Sequence, residues 1–325
     1  MRSGVLTFLL AVLAASTALA DEAETVSARA SAGLTLPTLG GMQFWTDELF
    51  FHRWHIQRNV VLGKFRLLDG ENRQYAFGSY EECRAALDQI KRERGLPPMH
   101  GTVVLALHGL GRSRVSMASM AEYLEEQGGF TVLRVGYAST RESIDAHATS
   151  LAAVIRNLDG IEQIHFVAHS MGNIVIRRAM TLLAGSKHER RLGRFVMIGP
   201  PNHGAAMATM LSDNTLVQAL VGEPCDELGR LWPWVERDLA IPSCPFGIIA
   251  GGLGNEKGFN PFLPGDDDAV VTVESTRLDG AADAVLLPVL HSFMPSERAV
   301  QERTLRFLRS GRFEPPSAAE AAVTR

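Results

Sequence analysis

Apolar and polar positions along the chain change period several times, and each change predicts an element. From Thr102 to Leu107 the residues form an unbroken apolar run, as in a parallel strand buried on both faces. Met117 to Gln127 has helical spacing, Phe130 to Tyr137 is strand-like, and Glu142 to Leu158 predicts a longer helix. A second apolar run, Ile164-His165-Phe166-Val167-Ala168-His169-Ser170, passes into the helical stretch Met171 to Leu183 with almost no connecting residues. Strands are expected over Phe195 to Ile198, Phe246 to Gly251 and Ala284 to Val289, and Pro295 to Leu308 closes the series as a helix. Such alternation predicts an α/β domain over residues 101–313, with a mostly parallel sheet flanked by helices.

Two regions depart from it. Residues 21–100 form an N-terminal extension. It begins with a loose Ala/Ser/Thr/Gly lead-in to residue 40. The aromatic stretch Met42 to Asn59 follows; it fits an amphipathic helix only in part and reads as a segment packed on the main domain. Phe65-Arg66-Leu67-Leu68 and Gln74-Tyr75-Ala76-Phe77 flank Asp69-Gly70-Glu71-Asn72, which is a hairpin signal. Glu81 to Arg94 then predicts a helix with Ser79 as N-cap and Gly95 as stop. The second departure, residues 205–245, has helical pieces and Trp232-Pro233-Trp234, and reads as a helical lid-like insertion near the strand ends. Residues 314–325 form a Pro- and Ala-rich tail expected to be disordered.

Composition narrows the partners. With 46% hydrophobic and 21% charged residues the chain is globular, and a net charge of −4 supplies no field for nucleic acid. Residues 1–20 carry Arg2, an apolar stretch from Val5 to Leu13, and Ala18-Leu19-Ala20 before Asp21. That is the pattern of a signal peptide cleaved after Ala20, so the mature protein is expected to be periplasmic or secreted. No later segment is long and apolar enough to span a membrane. Export permits disulfides, and Cys225 with Cys244 is the expected pair, Cys83 being a small buried residue.

Candidate chemistry sits at the strand ends. The passage from strand to helix through Ala168-His169-Ser170-Met171-Gly172 requires a tight bend with Ser170 at its apex, the geometry of a nucleophile elbow. Serine needs an adjacent base held by a third group. His291, just beyond the last strand, is the candidate base. In the run Asp266-Asp267-Asp268 the first choice of acid is Asp268, which directly precedes Ala269-Val270-Val271; Asp267 is the second and Asp266 the third. The order Ser, Asp, His is that of α/β-hydrolases. Backbone N–H groups of Leu110, in the Gly-rich loop after the first core strand, and of Met171 are the candidate oxyanion donors.

Other polar residues have plainer readings. His169 flanks Ser170 but should point away from it. His108, His165 and His203 are expected to hydrogen-bond loops around the site, and His147 and His188 to lie on helix surfaces. His52 and His55 lack further ligands for a metal, and the acidic run lacks the spacing of a calcium loop. No metal is expected.

With these residues placed, the chain resembles the α/β-hydrolase superfamily, and within it the bacterial lipase/esterase-like serine hydrolases. The resemblance rests on His108-Gly109-Leu110-Gly111, Ala168-His169-Ser170-Met171-Gly172, Gly199-Pro200-Pro201-Asn202-His203-Gly204, Asp268-Ala269-Val270-Val271 and His291, between Thr102 and Leu308. It implies hydrolysis of a small-molecule or lipid ester through an acyl-enzyme on Ser170, without cofactor. Two departures stand out: Ala168 occupies the place of the commoner first glycine, and Asp268-Ala269 stands where relatives often have Asp-Gly. The same fold also serves acyltransferases and thioesterases, and could persist in a non-catalytic binding protein.

Overall fold

The structure is a computed structural model that describes residues 41–212 and 222–314. The expected signal peptide, the lead-in to residue 40, residues 213–221 of the insertion and the tail from 315 lie outside the described residues.

Ten strands are described, in two sheets. The first is antiparallel and runs in order β1 (Trp45–Phe51), β2 (Trp54–Asn59), β3 (Phe65–Leu68) and β4 (Gln74–Gly78). Helix α1 (Tyr80–Arg94) packs on it, opened by a capping box in which Ser79 and Glu82 bond each other's backbone N–H, and closed by Gly95 at φ 58°. The predicted hairpin and helix are therefore present. The aromatic stretch before them differs from expectation, because it is a second hairpin turned at His52 (φ 51°). Nearly every position of β1 and β2 is buried. Burial on both faces removes the alternation that normally reveals a strand.

The second sheet is built from β5 (Gly101–Leu107), β6 (Thr131–Val135), β7 (Ile161–His169), β8 (Leu192–Ile198), β9 (Phe246–Gly251) and β10 (Asp283–Leu287). All its pairings are parallel, in spatial order β10-β9-β8-β7-β5-β6. Along β5, Val103, Leu105 and Leu107 join the core on one face, while Val104 and Ala106 join the core on the other. Helices α2 (Ala118–Gly128), α3 (Ile144–Arg156) and α4 (Met171–Leu183) connect successive strands of this sheet. The last helix starts at Arg298 rather than Pro295, because Pro295 lies within a short 3-10 helix from His291 to Ser296.

The order of the strands decides where a site can form. From β5 the chain steps outward to β6, then returns to the other side of β5 for β7 and continues outward to β10. The loops after β5 and β7 thus leave the sheet in opposite directions and open a crevice at its carboxyl edge. His108–Ser113 and Ser170 lie there.

The first sheet is bound to this edge by a buried carboxylate. Asp47 is fully buried; its Oδ1 accepts from His55 Nδ1 and Gln57 Nε2 at 2.8 Å each, and its Oδ2 accepts from Gly136 N, just after β6, at 2.7 Å. Burial alone would raise the Asp47 pKa, but His55, Arg114 and the Gly136 N–H outweigh it and hold the carboxyl below its ordinary range. Apolar side chains of the first sheet (Leu49, Ile56, Leu67) share one core with Leu151 of α3 and Phe166 of β7.

The insertion contributes α5 (Ala206–Ser212), α6 (Glu223–Leu228) and α7 (Trp232–Val235), with Cys225, Leu228 and Trp232 buried in that same core. The expected Cys225–Cys244 bond is absent: all three cysteines are free and buried. Cys225 Sγ is turned to the carbonyl of Ala208 at 3.9 Å, and burial pushes the thiols of Cys225 and Cys244 up to about 11 and about 12. Proximity along the chain was a poor guide here, because each sulfur fills a place in the core.

Candidate active site

Strand β7 ends at His169 and α4 begins at Met171, so one residue makes the turn. That residue, Ser170, has φ 55° and ψ −127°, a conformation that costs an L-residue about 1–3 kcal/mol. The surroundings impose it. Ser170 N donates to Ile198 O of β8 at 2.9 Å, and Asn173 donates to Ser170 O from both its backbone N (3.0 Å) and its Nδ2 (2.8 Å). Two neighbours have no room for a side chain. A Cβ on Gly172 would lie 2.7 Å from His108 O, and one on Gly109 would lie 2.9 Å from the Ser170 Cβ. The loop after β5 therefore sits directly on the elbow.

The same loop carries Leu110, and the helix after the elbow starts with Met171. A residue in the first turn of a helix has no intrahelical acceptor for its N–H, which leaves that of Met171 free to face a ligand. Tyr137, after β6, fixes the loop from beneath. Its hydroxyl donates to His108 O at 2.5 Å, its N–H donates to His108 Nε2 at 3.4 Å, and its ring stacks on the His108 ring at 4.2 Å. Position alone did not mark this residue in the sequence, where it is simply the last apolar residue of a strand.

His291 opens the 3-10 turn that follows β10. Its Nδ1 lies 2.6 Å from Asp268 Oδ2, and its backbone N donates to Asp268 O at 2.8 Å. Both the ring and the backbone of His291 are thus held by one residue, leaving Nε2 as the nitrogen able to exchange a proton with a nucleophile. The other Asp268 oxygen accepts from Val270 N (3.0 Å) and Val271 N (2.7 Å). Asp267 is turned away: its Oδ1 accepts from Asn260 N and Ala269 N, and burial followed by repulsion from Asp268 and Asp266 raises its pKa. Asp266 accepts from Leu253 N and Gly254 N at 2.8 Å each. Each carboxylate of the run closes a different piece of backbone, and Asp268 alone among them meets His291. Among the described residues no group of His, Cys, Asp or Glu is arranged to hold a metal ion.

His169 does point to the buried side, and there it reaches His291: its Nε2 bonds His291 O at 2.9 Å and the two rings lie 4.6 Å apart. Of the other histidines, His203 pairs with Glu236 near the surface, and His165 Nδ1 accepts from Arg194 N at 2.8 Å. His147 departs from expectation. It is 1% exposed on α3, against the Tyr137 ring. The face of α3 that carries it is covered by the first sheet, whose presence the helical spacing could not reveal.

Residues 99–209 match the family model described as "Putative serine esterase (DUF676)". The mature lipase BlEst2 of Bacillus licheniformis superposes with a TM-score of 0.52 at 18% identity, over 67% of this chain and 96% of that one. Its propeptide form gives 0.51 at 17% identity, over 68% of this chain and 52% of that one. The chain has the α/β-hydrolase fold. A comparison with curated proteins returned no match. The matched family segment of this hydrolase-fold chain contains the elbow and the loop after β5 but ends before Asp268 and His291.

Burial lowers His108 to about 4, His147 to about 3 and His165 to about 4. The unfolded chain takes up these protons below about pH 6.5 while the folded chain does not until much lower, so acid favours unfolding. Stability should fall as pH drops from about 6.5 to about 4, by up to about 1.4 kcal/mol per pH unit for each histidine. Urea midpoints that stay constant over that window would contradict this. Separately, Ala269 stands at φ 85°, where glycine is favoured, so Ala269→Gly should raise stability by up to about 1 kcal/mol in the same assay.

Proposed function

We propose that the chain is a serine hydrolase of carboxylic esters, with Ser170 as nucleophile, His291 as general base and Asp268 as the acid that orients it. The observation that carries this reading is the pairing of His291 with Asp268 at 2.6 Å on the sheet edge where the strained turn presents Ser170. The family match over the elbow segment supports ester hydrolysis independently.

In this mechanism His291 takes the proton of the Ser170 hydroxyl as its oxygen attacks the ester carbonyl. The negative charge that develops on the carbonyl oxygen is met by the N–H groups of Leu110 and Met171, donors fixed before the reaction begins. Collapse of the tetrahedral intermediate breaks the bond to the alcohol, which leaves with the proton from His291. Water, deprotonated by His291, then attacks the acyl-enzyme and releases the acid while Ser170 recovers its proton. Asp268 holds the ring so that Nε2 is directed at the reacting atoms. The reading extends to an exported protein, supported by the leader pattern of residues 1–20.

A fluorophosphonate probe should label the wild type and leave Ser170→Ala unlabelled, and the same substitution should lower kcat on p-nitrophenyl butyrate by at least about 10⁴-fold. A wild type that stays unlabelled would sink the proposal. Hydrolysis of the palmitate ester besides the butyrate separates a lipase from an esterase. Gly109→Ala, which presses a methyl against the Ser170 Cβ, should cost about 10²-fold in kcat. Leu110→Ala keeps the backbone N–H and should cost far less. Equal losses in the two variants would remove Leu110 N–H from the mechanism.

A further inference from the structure

The base and the nucleophile are carried by strands that do not touch. Ser170 follows β7 in the middle of the sheet, and His291 follows β10 at its edge, with β8 and β9 between them. At the ordinary strand spacing β7 and β10 lie about 14 Å apart. Asp268 holds His291 twice, at the ring Nδ1 and at the backbone N. Two bonds to one residue fix a line, and the ring can still swing about it. Stopping that swing takes a third bond from a different element.

His169, the last residue of β7, makes that bond: its Nε2 meets His291 O at 2.9 Å. A carbonyl only accepts, so Nε2 carries a proton. Burial first, and then the neighbouring His291 and Arg112, hold the pKa of His169 well below the ordinary histidine range, so its ring is neutral. A neutral ring 4.6 Å from the His291 ring does not oppose the positive charge that His291 acquires on taking the Ser170 proton. The Nδ1 side of His169 faces the loop after β5, where a Cβ on Gly109 would lie 3.3 Å from Nδ1. The His291 ring in turn rests on Gly199, where a Cβ would lie 3.1 Å from its Nδ1. One buried imidazole thus touches the oxyanion loop, bonds the turn that carries the base, and leads directly into the nucleophile. Core packing alone would ask only for volume at this place, which an apolar side chain supplies.

We propose that His169 is a positioning residue that sets the base against the nucleophile: its Nε2–H, bonded to the His291 carbonyl, keeps His291 Nε2 in line with Ser170. The inference rests on the hydrolase reading above and adds a residue to it.

Three variants separate the hydrogen bond from the volume around it. His169→Leu keeps bulk but leaves His291 O without this donor. His169→Gln brings an amide N near the place of Nε2, whereas His169→Asn brings it near the place of Nδ1, too short to reach His291 O. On p-nitrophenyl butyrate, His169→Leu and His169→Asn should lower kcat by about 10- to 100-fold with KM within about twofold, as expected of a base displaced by about 1 Å. Labelling by the fluorophosphonate probe should slow in the same proportion, because it draws on the same base. His169→Gln should recover most of the loss. Thermal melting identifies the variants that fold, and the contrast between His169→Asn and His169→Gln decides the matter even where His169→Leu unfolds. A kcat that stays within about threefold of the wild type in His169→Asn, or that falls equally in His169→Asn and His169→Gln, overturns the positioning role and leaves the hydrolase reading intact. A wild type that neither cleaves the ester nor takes the probe overturns both.

Discussion

One residue's backbone governs this molecule. Ser170 must turn the chain from strand to helix by itself, in a conformation that L-residues avoid, and it does so because everything around it permits nothing else. Its N–H is bonded to β8, its carbonyl is held by Asn173, and both Gly109 and Gly172 surrender the volume of a Cβ to bring the neighbouring loop and strand into contact. A parallel sheet buried on both faces is what makes such an over-determined point possible. The strands on either side fix the height and register of the turn before any side chain at the site is considered.

The first sheet extends this constraint rather than decorating it. Gln43 bonds the carbonyl of Arg112, Thr46 Oγ1 accepts from Ala138 N at 3.2 Å, and Asp47 accepts from Gly136 N. These contacts fix the loops after β5 and β6, the two that border the crevice on the side away from His291. The N-terminal segment thus acts on the site through backbone hydrogen bonds without supplying a reacting group. Tyr137 passes the constraint on, since it stacks on His108 and bonds its carbonyl directly beneath Gly109.

Much of this was legible in the sequence, and the reasons for the exceptions are physical. The parallel sheet, the elbow and the position of His291 beyond the last strand announced themselves through apolar runs that end abruptly, because buried strands and strand-end loops differ sharply in composition. The β1–β2 hairpin was not legible, since burial on both faces left no alternation. His147 was misjudged for the same reason from the other side: the face of α3 that helical spacing assigns to solvent is covered by that hairpin. His169 was expected to point away from Ser170, but that its ring would touch His291 depends on a contact between residues 122 apart. The cysteines failed differently, because nearness in sequence says little about which way two buried sulfurs face.

The acidic run shows how a site residue is selected when its neighbours have identical chemistry. Asp266, Asp267 and Asp268 differ only in which backbone they face, and that is decided by Ala269 at φ 85°. The left-handed turn there lets Val270 and Val271 direct their N–H groups back at one oxygen of Asp268, so the other is presented to His291 Nδ1. Glycine would make this turn at no cost; here an alanine accepts about 1 kcal/mol of backbone strain. The strain is offset by two charge-assisted hydrogen bonds to the carboxylate. The substitution that made the acid's loop look atypical in sequence therefore leaves its geometry intact, because the conformation is set by what the loop closes upon and not by the residue that adopts it.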